Sequence, residues 1–88
     1  MFAIGSNVPG YAPEADATLV ETWEEATHAL EDEIERHLDM LADAYGTESK
    51  VFDSAWRLAA IARKRLDYDV VLPTSDSVHD LGRIYWIQ

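Results

Sequence analysis

Between Thr22 and Gly46 the apolar residues Trp23, Ala26, Leu30, Ile34, Leu38, Leu41 and Tyr45 recur at intervals of three and four, the period of one helical face. The spacing predicts a helix over this stretch. Thr22-Trp23-Glu24-Glu25 forms a capping box at its start: the Thr22 hydroxyl is placed to accept from the Glu25 N–H, and the Glu25 carboxylate to reach back to the Thr22 N–H. Gly46 stands where a glycine ends a helix. A second periodic run follows the short turn Gly46-Thr47-Glu48-Ser49, with Thr47 or Ser49 as its cap. Its expected buried stripe is Val51, Ala55, Leu58, Ala62 and Leu66, broadened by Phe52, Trp56 and Ala59. So short a turn makes the two helices an antiparallel hairpin.

The ends of the chain follow another period. Phe2 to Ser6 alternates as a short strand does, and Asn7-Val8-Pro9-Gly10-Tyr11-Ala12-Pro13 then excludes helix and imposes turns. Tyr68 to Leu72 is a second short extended piece, stopped by Pro73. Thr74-Ser75-Asp76-Ser77 is turn chemistry, and Gly82-Arg83-Ile84-Tyr85-Trp86-Ile87-Gln88 is rich in β-branched and aromatic residues. An isolated edge strand has little to hold it, so the N- and C-terminal strands are expected to pair. The expected fold is α+β. Residues 1–88 form a single domain in which the helical hairpin packs on a two- to three-stranded antiparallel sheet made largely from the termini.

Charge adds a surface to this fold. The 88 residues hold 17 Asp and Glu against 7 Lys and Arg, a net −10 with neutral His. Residues 22–45 carry eight acids and one base, Arg36, and so own −7 of that total; residues 47–68 carry three acids and five bases. At 100° per residue, Glu24, Glu25, Glu31, Asp32, Glu35, Asp39 and Asp43 fall within an arc of roughly 120° opposite the apolar stripe, with Glu33 outside it. They form a ridge about 28 Å long at ~1.5 Å rise per residue, expected to face away from the hairpin seam and to stay exposed.

Two readings of the ridge compete. One is a solvated face that keeps a small protein soluble. The other is a surface that occupies a cationic site: the ridge carries roughly one charge per 4 Å, closer to one strand of DNA than to the duplex, which presents one per ~1.7 Å. Halophilic adaptation would spread acids over every face, whereas here one helix holds most of them.

Composition limits the chemistry. There is no Cys, so disulfide frameworks and thiolate metal sites are excluded. The N-terminus has neither a basic n-region nor a long apolar run, so no signal peptide or membrane span is expected and the default location is the cytoplasm. A strongly acidic chain is repelled by nucleic acid and anionic lipid, so direct binding to either is not expected. Glu25 and His28 have the Glu-x-x-His spacing of di-metal bundles, but such a site needs two of these motifs, and His28 lies with the acids on the solvent side. No metal or cofactor is expected. Glu33 and His37 read as a helix-stabilising pair, with His37 at the boundary of the apolar face. Ser75, His79 and Asp80 are the residue types of a hydrolytic triad, yet neighbouring loop residues do not place a base on a nucleophile with a third group behind it. No phosphate loop or nucleophile elbow is present, so no enzymatic activity is expected. Arg57, Arg63, Lys64 and Arg65 read as partners of the helix dipole and of acids. Most aromatics, Trp23, Trp56 and Trp86 among them, fall on buried stripes or the terminal strand; Tyr11 and Tyr68 are less constrained and are secondary binding candidates.

Three segments together, Pro9-Gly10-Tyr11-x-Pro13-Glu14-x-Asp16, Glu21-Thr22-Trp23-Glu24-Glu25-Ala26 and Gly82-x-x-Tyr85-Trp86-Ile87, resemble small acidic proteins of phages, prophages and plasmids from bacteria with GC-rich genomes. The resemblance covers both ends and the first helix but not residues 47–72. Most such proteins have no assigned activity, so it implies no site residues; in kind they are similar to anti-CRISPR and antirestriction inhibitors. The resulting expectation is a non-enzymatic inhibitor that binds a host nucleic-acid-binding complex, a CRISPR effector first and a restriction enzyme second. Glu24, Glu31, Asp32, Glu35, Asp39 and Asp43 would meet the cations that normally hold phosphate. The alternative is a small structural, assembly or adaptor protein that dimerises through exposed aromatics and uses its acids for solubility.

Overall fold

The computed structural model describes residues 1–13, 16–65 and 70–88, the side chains of 64 and 65 excepted. Its elements are β1 (Phe2–Asn7), β2 (Thr18–Val20), α1 (Trp23–Tyr45), α2 (Lys50–Arg65), β3 (Val70–Leu72) and β4 (Arg83–Ile87). The strands form one antiparallel sheet in the order β2-β1-β4-β3, with the two helices packed on it, an α+β fold. The terminal strands pair at its centre, Ile4 opposite Ile87 and Asn7 opposite Ile84. Beyond the Ile4–Ile87 pair, Ala3 and Gln88 exchange both backbone hydrogen bonds at 2.7 Å.

The sheet has four strands where two or three were expected. The additional one, β2, lies between the Asn7–Pro13 turn and the Thr22 cap, where no element is expected: three residues are too few for alternation to show, and Phe2↔Val20 and Ile4↔Thr18 pairing supplies the order. β3 keeps only the end of the expected 68–72 piece, whose first two residues lie outside the described ones, as does Leu66.

Both helix ends of α1 follow from the sequence. The Thr22 hydroxyl accepts from the Glu25 N–H at 3.1 Å, and the Gly46 N–H donates to the Ala42 carbonyl at 2.8 Å. Ser49, not Thr47, organises the turn into α2, accepting from the Phe52 N–H and donating to the Gly46 carbonyl. Ala26, Leu30, Ile34, Leu38 and Leu41 of α1 bury against the sheet residues Ile4, Val70, Leu72 and Tyr85 and against Val51, Ala55, Ala59 and Ala62 of α2. The buried side of α2 is thus centred on its alanines. Leu58 and Trp56, expected in its stripe, are exposed, Trp56 to 53%. Small side chains let α2 lie close to α1 and β3, and the bulky residues turn outward. Trp23, expected on the α1 stripe, sits at the helix start, 42% exposed and edge-on to Phe2 at 5.5 Å between ring centroids.

The helices cover one face of the sheet. On the other face Trp86 lies across β1 where Gly5 leaves room: a Cβ there would stand 2.5 Å from the indole ring. The indole N–H donates to Asn7 Oδ1 at 2.8 Å, closing the lock. At the opposite end of β4, Gly82 adopts φ 73°, and a Cβ would meet the Leu72 carbonyl oxygen at 2.7 Å. Gly5→Ala forces the indole off β1 and is expected to cost about 1–3 kcal/mol, read as a lower urea midpoint at unchanged m-value.

Candidate functional site on the first helix

The outer side of α1 is a line of carboxylates. Glu24, Glu25, Asp32, Asp39 and Asp43 are exposed along it. Two of the expected ridge residues differ. Glu31 is half-buried and already engaged, and Glu35 lies 3.9 Å from Arg63 Nη2 of α2. The ridge therefore does not face wholly away from the hairpin. α2 packs on the flank of α1 that holds Leu38, next to the Glu31/Glu35 side of the arc, and so meets that edge. The Glu35–Arg63 pair is partly exposed and long, which makes it a weak tie. The Arg63 Nε is buried with no hydrogen-bond partner among the described residues. His28 is exposed on the same side, and no cluster of three or more His, Asp or Glu suited to a metal occurs among the described residues.

Among the described residues, His37 is the polar residue of the core. Expected at the boundary and paired with Glu33, it is instead buried, with its ring edge-on to Tyr85. Its Nε2–H donates to the Pro73 carbonyl at 2.7 Å, which leaves Nδ1 to accept from the Tyr85 hydroxyl at 2.8 Å. The neutral ring satisfies both bonds. Burial pushes the His37 pKa down, helped by the charge of Arg83 and opposed by the Pro73 hydrogen bond and Asp80. Burial likewise pushes the Tyr85 hydroxyl up to about 12. The signal was present in the sequence: His37 sits three after Ile34 and four before Leu41, inside the apolar arc.

The Ser75, His79 and Asp80 types do not form a triad. Asp80 accepts from the Thr74 N–H at 2.9 Å, the Gly82 N–H at 3.1 Å, the Ser75 N–H at 3.3 Å and the Thr74 hydroxyl. Its partial burial favours the protonated acid, but these donors outweigh that and hold its pKa below the ordinary carboxylate value. It closes the β3–β4 turn, while His79 is exposed. A polar cavity of about 240 Å³ between α1 and the sheet, bordered by Ser6, Thr18, Glu33 and Arg83, was not visible in the sequence. There the Ser6 hydroxyl accepts from Arg83 at 3.1 Å. Tyr11 is 65% exposed on a loop held by the Asn7 amide, which donates to the carbonyls of Val8 and Tyr11. Tyr68 lies outside the described residues. No helix among the described residues is long and apolar enough to cross a membrane.

No protein-family model matches the chain, and no match was found among curated proteins or solved structures.

The His37 bridge predicts a pH dependence of stability. With the folded-state pKa below the ordinary 6.5, the stabilisation is fully present above pH 6.5 and is lost as pH falls through the folded value. His37→Gln, which keeps hydrogen-bonding groups but does not titrate, should flatten this part of the stability–pH curve measured by urea unfolding. Tyr85→Phe leaves Nδ1 without its donor and should cost about 1–3 kcal/mol at neutral pH.

Proposed function

We propose that this protein is a non-enzymatic inhibitor from a phage or other mobile element that lays the outer side of α1 on the basic, nucleic-acid-binding surface of a host complex and keeps DNA off it. The observation that carries this reading is the row of exposed carboxylates along one side of a 23-residue helix. A helix fixes their spacing, at roughly one charge per 6 Å of axis, so a channel of Lys and Arg that holds the phosphates of one strand meets a sparser line of carboxylates along the same axis. Charge of this kind speeds encounter and makes binding sensitive to salt. The target is a CRISPR effector first and a restriction enzyme second, a preference that rests on the resemblance to mobile-element proteins, and the setting is the cytoplasm of the host bacterium.

Exposure favours part of the ridge for this role. Asp32, Asp39 and Asp43 are exposed, with Glu24 at the N-terminal end, whereas Glu31 is half-buried and engaged and Glu35 meets Arg63 of α2. A second reading, an assembly or adaptor protein whose acids only confer solubility, is favoured by the exposed apolar side chains on the sheet face that no helix covers.

Charge reversal separates the two. Asp32→Lys, Asp39→Lys and Asp43→Lys together should leave the far-UV spectrum unchanged, since exposed substitutions rarely affect folding. On the ridge reading they should weaken inhibition of DNA binding by a CRISPR effector or a restriction enzyme at least about tenfold, each tenfold being ~1.4 kcal/mol. Inhibition equal to that of the unaltered protein would rule out charge competition.

A further inference from the structure

Among the described residues, no charged side chain stands on the strand positions of the sheet face opposite the helices. Alternation from the paired registers places Leu19 of β2, Ala3 of β1, Ile84 and Trp86 of β4 and Val71 of β3 on it, with Asn7 as its polar member. A sheet with one wetted face ordinarily alternates apolar inward and polar outward. Here the outward positions are also apolar, and those at the two edges are open, Leu19 64% and Val71 42% exposed. The patch continues into a shallow groove where Pro9, Gly10 and Pro13 stand beside Ile84 and Trp86, and past it to the exposed Tyr11 and Leu81. Contiguous exposed apolar surface of this kind marks an interface.

The distribution of charge selects the occupant. Among the described residues, a second copy apposed through this face brings no like charges together, although each chain carries −10. The acidic sides of the two α1 helices then point outward, away from the contact. At ~10 Å per layer the helix axes lie roughly 30 Å apart, several times the ~8 Å screening length at physiological ionic strength. Approach through α1 would instead set one row of carboxylates against another. Two twisted sheets also pack face to face readily, with strand directions within about 30°.

We propose that this face is a homodimer interface, in which two copies stack their sheets about a two-fold axis and bury Trp86, Ile84, Val71 and Leu19 between them. The contact is isologous, each patch meeting its own copy, and it leaves both acidic ridges accessible. It stands independently of the ridge's function.

Sedimentation equilibrium of the full chain at micromolar concentration tests this. The expected mass is twice 9.9 kDa, falling to 9.9 kDa when Leu19→Glu and Val71→Glu place charge on the face, with an unchanged far-UV spectrum. A monomeric unaltered protein, or a dimer that survives both substitutions, would overturn the proposal. Should the double variant misfold, spin labels decide, because the chain has no other cysteine. The inter-copy distance between labels at Val71→Cys should be shorter than that between labels at Asp39→Cys, and the reverse order would overturn the interface.

Discussion

The pairing of the first strand with the last holds the rest of this molecule in place. β1 and β4 form the centre of the sheet, and the three-residue strands β2 and β3 join it by pairing with them. Almost the whole chain is closed between Ala3 and Gln88, but closure entropy grows only with the logarithm of loop length. The pairing is locked on its outer side by Trp86 over Gly5 and by the indole bond to Asn7, and on its inner side Ile4 and Tyr85 supply the floor on which α1 rests. His37 then fixes α1 on that floor: one ring ties the helix to Tyr85 of β4 and to Pro73, just after β3. Three elements meet at a single neutral imidazole, so the helical hairpin has one place to sit.

What the sequence showed depended on how much of each element repeats. α1 is a long periodic run with a cap at either end, and its limits follow from Thr22 and Gly46. The terminal strands and the hairpin follow from composition and turn length. β2 is three residues long and shows no period of its own. The buried side of α2 was misplaced because alanine fits either side of a helix; only contact with α1 and β3 decides that Ala59 turns in and Leu58 out. His37 was judged by its polarity, although its spacing put it in the core.

The ridge was legible as an arc but not as a surface. A helical wheel gives the angles of Glu31 and Glu35 correctly, yet it does not say on which flank a second helix will lie, and α2 meets that edge through Arg63. The open sheet face was less legible still. Outward apolar positions such as Ile84 and Trp86 have the same pattern as a strand buried on both sides, and become conspicuous only once both helices are seen to cover the other face. The molecule is therefore two-sided. One side is a row of carboxylates and the other, among the described residues, is uncharged and largely apolar.

That division makes the acidic side the surface on which a cationic partner would settle. Carbodiimide labelling of carboxyl groups, followed by mass spectrometry of the protein alone and mixed with a CRISPR effector or a restriction enzyme, reports on this side directly. Occupation of a phosphate-binding channel predicts strong loss of labelling at Asp32, Asp39 and Asp43, with Asp53 and Glu48 of the second half labelled as in the free protein. Labelling of the three ridge aspartates at the same rate in the complex as in the free protein would contradict it.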